Sequence, residues 1–187
     1  MRFNRHNIRF FKAARKARSK ITPITREDLE YLTEKVDDVY DSSRLKDTEG
    51  FLQHNGTSRL LHCVAVTYYS YFLCKTLRMK CDMDELVKGA LLHDYYFYDW
   101  RDIENHKKCH AQVHPSAAAA NAAMDFDLTE KERDIIEKHM FPLTRIPPSF
   151  RESAIVCLVD KACAVYEFCS KKTYRTLKRR MRDCAAV

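Results

Sequence analysis

The sequence predicts an all-α domain of about six or seven helices, and three observations carry that expectation. Only 3 glycines and 5 prolines punctuate the 187 residues, which suits long helices with few breaks better than a many-turned β sandwich. Helix-start signals recur, each followed by apolar residues at helical spacing. Nothing alternates with period two over a stretch long enough for a strand, and there is no internal repeat. With 45% hydrophobic and 32% charged residues, the composition is that of a soluble globular chain able to build one domain with a core.

The elements follow in order. Residues 1–24 read as a basic extension, 25–170 as the domain and 171–187 as a basic tail. Thr25-Arg26-Glu27-Asp28 opens a helix on which Leu29, Leu32, Val36 and Val39 share a face. Residues 43–57 read as a long loop, and a helix is expected from Ser58 to about Leu77. Asp82-Met83-Asp84-Glu85 resembles a capping box for a helix running through Leu86, Val87, Ala90 and Leu91 into His93. A second long loop is expected over 96–113, with Pro115 as the first residue of a short alanine-rich helix and His114 just ahead of it. Thr129-Glu130-Lys131-Glu132 and Ser149-Phe150-Arg151-Glu152 are two further capping boxes. The helix behind the first of these closes at His139, before a break at Pro142.

The net charge of +7 is unevenly spread. Residues 1–20 carry eight lysines and arginines and no acid, and 171–187 carry seven against Asp183, which leaves the middle of the chain at −7. Basic ends can touch nucleic acid or anionic lipid, and that defines one function class, a binding module. The plainer expectation is a solvated extension and a frayed tail. No apolar run reaches the roughly eighteen residues of a membrane span, and the amino terminus lacks the apolar core of a secretory signal. The 8 cysteines contain no CxxC pair and sit mostly inside helical apolar patterns, so a reducing cytoplasm is expected.

The chemistry is in a few polar residues set among apolar ones. His62 stands alone in 60-LLHCVAV-66, where a histidine is more often a satisfied core residue than a ligand. His93-Asp94 ends an apolar run, 90-ALLHDYYFYDW-100, and a dipeptide alone proves nothing. Asp160 is harder to dismiss, because nearly every neighbour in 154-AIVCLVDKACAV-165 is apolar. A lone ionised carboxylate there costs several kcal/mol unless it is paired or bound to a cation. Lys161 lies about 100° away around a helix, so the partner must come from elsewhere. His114 and His139 complete a set of four imidazoles and two carboxylates at helix faces or ends. Such nitrogen and oxygen ligands without thiolate suit one or two divalent ions of Mn, Fe, Zn, Co or Ni. In 106-HKKCHAQVH-114, His106 and His110 compete with His114 for the same place.

The order His…His-Asp…His…His…Asp resembles the HD superfamily of metal-dependent phosphohydrolases, over roughly residues 55–170. The segments that carry the resemblance are 58-SRLLHCVAV-66, 91-LLHDYYFYDW-100, 114-HPSAAAANA-122, 136-IEKHM-140 and 158-LVDKACA-164. It implies an HD-type helical bundle in which His62, His93, Asp94 and Asp160 form the core metal set, and His114 and His139 are the extra ligands of two-metal members. It favours His114 over His110, since small residues follow it as they do in the family. It further implies hydrolysis of a nucleotide or other phosphate ester by metal-activated water, with Asp94 at the reacting centre.

Cations to offset the phosphate's charge are sought among Lys161 and Arg145 first, then Lys138, Arg101, Lys107 and Lys108. Trp100 and Arg101 are the candidates for substrate contact, with Trp100 and a tyrosine as a platform for a nucleobase. The large rings of 95-YYFYDW-100 also serve as ordinary packing residues. Many members of the family place a lysine or a Glu-Asp pair where this chain has Phe97 and Tyr98, so a general-acid or alarmone-type mechanism does not carry over. Members with a similar ligand set are di-iron oxygenases, and that is the rival enzymatic expectation.

Overall fold

A computed structural model describes residues 24–53, 56–101 and 110–170, together with Tyr174 and Leu177. The described chain forms six α-helices and one 3-10 helix. These are α1 (Arg26–Ser42), the 3-10 helix (Arg44–Gly50), α2 (Arg59–Leu77), α3 (Met83–Leu92), α4 (His110–Asp125), α5 (Glu130–Lys138) and α6 (Arg151–Cys169). The all-α expectation of about six or seven helices is met. No strand occurs among the described residues, where an isolated antiparallel bridge, Leu52 to Ser58, closes the turn ahead of α2.

Local chemistry explains most of the boundaries. Thr25 and Thr129 form complete capping boxes with Asp28 and Glu132, and Ser58 caps α2 by accepting from Leu61 N–H. Asp82 caps α3, but its own N–H donates to Glu152 across the bundle at 2.7 Å rather than to a local carboxylate. Three expectations need correcting. The segment expected as a loop over 43–57 contains the 3-10 helix, with Leu45 and Thr48 buried beneath it. α4 already includes His110, so Pro115 lies inside the helix and not at its first position. The His110 carbonyl accepts from the His114 side chain (Nδ1···O 3.0 Å), so the helical path there is tied to His114. The Ser149 capping box does not form: Phe150 occupies the cap position, while Ser149 N–H donates to Asp134 at 2.9 Å and its hydroxyl accepts from Lys138.

Helix α3 is the hub. It packs against α1, α2, α4, α5 and α6, and Leu86, Val87, Ala90, Leu91 and Leu92 are all buried. Each such leucine contributes about 1.5–3 kcal/mol of burial. The crossing with α5 is close because position 89 is glycine: a Cβ there would lie 2.6 Å from Ile135 Cδ1 and 3.1 Å from Ile135 Cβ. α1 is tied to α2 through Asp28, which accepts from Tyr71 OH at 2.7 Å and from Lys75. Burial pushes the Asp28 carboxyl up, but those donors and the Thr25 N–H outweigh it and hold it at about 2. Beyond residue 170, Tyr174 and Leu177 are buried against the core. The basic extension at residues 1–24 lies outside the described residues but for Ile24, as do most of the basic tail and His106, Lys107 and Lys108.

The Gly89–Ile135 contact yields a test of this packing. Replacing glycine by alanine in an open helix stabilises by about 0.5–1 kcal/mol. Here the new methyl meets a buried branched side chain, so Gly89→Ala is expected to destabilise by about 1–3 kcal/mol. Urea denaturation checks this, and shortening Ile135 to Val in the same chain should recover part of the loss.

Candidate metal centre

Five helices deliver six side chains to one buried point. His62 comes from the second turn of α2, His93 and Asp94 from the end of α3, and His114 from α4. His139 comes from the end of α5 and Asp160 from the middle of α6. All six are buried. His62 Nε2 lies 3.0 Å from Asp160 Oδ1, and His93 Nε2 lies 3.6 Å from the same oxygen and 3.7 Å from Asp94 Oδ2. On the other side of Asp94, its Oδ1 is 3.3 Å from His114 Nε2 and 3.6 Å from His139 Nε2, which are themselves 2.8 Å apart. Two groups able to hold a cation result: His62, His93 and Asp94, and Asp94, His114 and His139. Asp94 belongs to both.

Each imidazole is aimed by its far nitrogen. His93 Nδ1 donates to the Ala90 carbonyl at 2.7 Å, His139 Nδ1 to Ile136 at 2.8 Å and His114 Nδ1 to His110 at 3.0 Å. Donation from Nδ1 leaves Nε2 as the lone-pair nitrogen facing the centre. His93 and His139 are alike in a further way, because each is the C-cap of its helix and bonds the carbonyl three residues back. The negative ends of α3 and α5 therefore both face the centre, where they favour a cation. His62 differs, since its Nδ1 bonds Glu167 Oε1 at 2.8 Å, and that same oxygen accepts from Tyr174 OH at 2.7 Å.

The residues fit a divalent ion by their unanswered chemistry. His93 Nε2 and Asp94 Oδ1 are buried and make no hydrogen bond within the chain. His114 and His139 direct two nitrogens at each other whose Nδ1 protons are already committed elsewhere, a contact that is repulsive unless a proton or a cation lies between them. Ligand atoms about 2.0–2.2 Å from one ion stand about 3–3.6 Å apart, and the separations around Asp94 Oδ1 fall close to that range. Electrostatics agree. Burial opposes ionising Asp160, but the neighbouring His62 and His93 outweigh it and hold the carboxyl well below its usual range. Burial, helped by His93 and His114, pushes His139 down to about 3, so its imidazole is neutral and able to ligate. Burial also works against a charged His62, yet hydrogen bonds to Asp160 and Glu167 raise it well above its ordinary value. A divalent ion must displace that proton from Nε2, which couples binding to pH.

A cavity of about 330 Å³ opens beside the cluster and is bounded in part by Gln53, Tyr96, Trp100, His110, Met140 and Lys161. Lys161 Nζ donates to the carbonyls of His139 (2.5 Å) and Cys157 (3.2 Å) and stands 3.8 Å from Asp160 Oδ2. Trp100 stacks on His110 (centroids 5.7 Å), which stacks on His114 (4.5 Å). Thus His114 joins the ligand cluster while His110 lines the approach to it. Three of the other proposed cations, Arg101, Arg145 and Lys138, are not brought here. Arg101 is exposed and pairs with Asp99, Arg145 is exposed, and Lys138 is engaged with Asp134 and Ser149.

Four further residues matter that the sequence did not single out. Gln53 Nε2 donates to Asp94 Oδ2 at 2.5 Å. Glu167 and Tyr174 support His62. Arg59, fully buried, donates to the carbonyls of Tyr96 and Tyr98 and lies 3.6 Å from the Tyr96 ring centroid, which fixes the aromatic wall of the cavity. The clue available for Glu167 was its seven-residue spacing from Asp160, two helical turns on one face.

Elemental analysis of wild type beside variants tests the centre. Asp94→Ala is expected to lose bound metal from both groups, whereas His139→Ala should empty only the group containing His114. Tyr174→Phe leaves every ligand in place and should weaken metal binding about 10–100-fold through Glu167 and His62. Equal metal content and affinity across these proteins would overturn the assignment.

Comparison of the chain with protein-family models, with curated proteins and with solved structures finds no match, so function is argued from this geometry.

Proposed function

We propose that the chain is a metal-dependent phosphohydrolase of the HD type, acting on a nucleotide or another small phosphate ester. The observation that carries this reading is Asp94, one carboxylate shared between two histidine groups in a buried site beside an open cavity. When bound there, divalent ions would supply Lewis acidity toward phosphoryl oxygens and a water of lowered pKa.

The chain's own residues account for the rest. His62, His93 and Asp160 hold one side of Asp94, and His114 and His139 the other. Gln53 fixes the Asp94 carboxylate, so its two oxygens keep their separate directions. Among the described residues, Lys161 is the one proposed cation that lines the cavity, anchored by two carbonyls with its charge toward the cluster. That placement suits a phosphate oxygen. Trp100 and His110 offer flat faces to a planar group, and Arg59 keeps their neighbouring wall in place. A volume of about 330 Å³ is at the lower end of small-molecule sites, which favours a mononucleotide-sized substrate over a polymer. Buried Tyr96 has its phenol pushed up, chiefly by burial and then by Asp94, so it stays a neutral hydrogen-bond donor at the cavity edge.

The test is phosphate release from a panel of nucleotides and simple phosphate esters by protein loaded with Mn or Fe. Activity should vanish on chelation and in Asp94→Ala. Lys161→Ala should lose about 10²–10³ in kcat while its metal content stays that of wild type. A metal-replete protein inert toward the whole panel, but consuming dioxygen when loaded with iron, would establish the oxygenase reading instead. Binding to nucleic acid or anionic vesicles through the basic ends is a separate reading. It requires steeply salt-dependent affinity lost on deleting residues 1–20 and 171–187.

A further inference from the structure

Far from the metal centre, two thiols face each other across the turn that joins α2 to α3. Cys74 Sγ donates to Cys81 Sγ at 2.8 Å, so closing a bond of about 2.04 Å requires only a small approach. Cys74 is fully buried and Cys81 partly exposed. The turn between them is held from several directions. Arg78 takes a left-handed conformation (φ 52°) that reverses the chain, and Met79 N–H donates to the Cys74 carbonyl at 2.9 Å. From α6, Arg151 donates to the Lys80 carbonyl at 2.6 Å and Glu152 accepts from Asp82 N–H at 2.7 Å. The two sulfurs are thus placed together by contacts that do not involve sulfur, which is the condition under which an oxidation step selects one pair among 8 cysteines.

We propose that Cys74 and Cys81 form a site of reversible disulfide formation, an oxidative staple between α2 and α3. With hydrogen peroxide as oxidant, the partly exposed Cys81 thiolate takes an oxygen to become a sulfenic acid, and the released hydroxide gains a proton as water. Cys74 sulfur then attacks the Cys81 sulfur, its own proton leaves with the hydroxyl as a second water, and two electrons in all have passed to peroxide. The order follows from accessibility: Cys81 is partly exposed to the oxidant, whereas Cys74 is buried, and burial holds its thiol protonated until the Cys81 sulfur beside it has been oxidised. The staple closes a short loop away from the candidate ligands. Cys74 is twelve residues along α2 from His62, about 18 Å of helix, so this inference stands apart from the proposed phosphohydrolase function.

The experiment treats the reduced full-length protein with hydrogen peroxide, followed by non-reducing peptide mapping and thermal unfolding. The expected result is a mass lower by two hydrogens, a Cys74–Cys81 linked peptide, and a melting temperature raised by about 5 °C and restored by dithiothreitol. Cys81→Ser, at a partly exposed position, should fold and show neither the link nor the shift. Cys169→Ser, which removes an exposed thiol elsewhere, should show both. Finding Cys81 free, over-oxidised or linked to any other cysteine in the treated wild type would overturn the proposal.

Discussion

Burying the Asp94 carboxylate at the end of an apolar helix sets the terms for the rest of this molecule. An ionised carboxylate removed from water has an uncompensated desolvation penalty of several kcal/mol, comparable to the whole stability of a domain this size. At 5% exposure Asp94 cannot recover that from solvent. Every element around it contributes to the answer. Gln53, ahead of α2, donates to one oxygen, which His93 also flanks, and His114 and His139 stand against the other. These groups come from distant parts of the chain, so the bundle must close correctly in three dimensions before Asp94 is satisfied. The carboxylate is in that sense a specification of the fold as well as of the site.

Hydrogen bonding alone leaves the answer incomplete, and the remainder is what makes a cation the natural partner. Three imidazoles have their Nδ1 protons assigned to carbonyls, which turns their Nε2 atoms toward two carboxylates and, for His114 and His139, toward each other. Two helices end at the centre with the negative pole of their dipoles. Lone pairs, carboxylates and helix C-termini all have the same sign of preference. Protonation relieves part of it, at His62 through Asp160 and Glu167 and at His93 through Asp94, and a divalent ion relieves it further with ligands already pointed. An all-helical scaffold suits this purpose, because packing of the Leu and Val faces of α3 fixes a helix end to within the tolerance a ligand needs.

The sequence disclosed the centre and obscured its surroundings, for one reason. His62, Asp94 and Asp160 were conspicuous because each interrupts an apolar pattern, and a polar residue in such a place must be explained. Glu167 is equally buried, at 0% exposure, yet it sits among Tyr166, Phe168 and the start of a basic tail, where a glutamate looks like surface. Its burial depends on Tyr174 folding back over α6, a long-range event with no local signature. Arg59 was hidden similarly, as a charged residue at a helix start that lies, against expectation, between Phe51 and Tyr96. The helix ends followed the same division. Thr25 and Thr129 cap as local chemistry dictates, whereas Ser149 is taken by Asp134 and Lys138 of another helix. At these helix starts the local rule held where no tertiary partner competed for the same atoms.

The rings of 95-YYFYDW-100 divide by what each one touches. Tyr95 belongs to the scaffold: fully buried, it donates to Asp125 at 2.6 Å, accepts from Arg44 N–H at 2.8 Å, and packs edge-on against Phe97. Tyr96 and Trp100 belong to the cavity. Between these two roles runs a short backbone segment whose carbonyls, at Tyr96 and Tyr98, are gripped by Arg59 on the same helix that carries His62. His62 and the backbone of the cavity wall therefore share a support in α2. Changes in the wall's side chains can alter what enters the cavity without moving His62, since the wall is held through its backbone and the ligand through its own Nδ1.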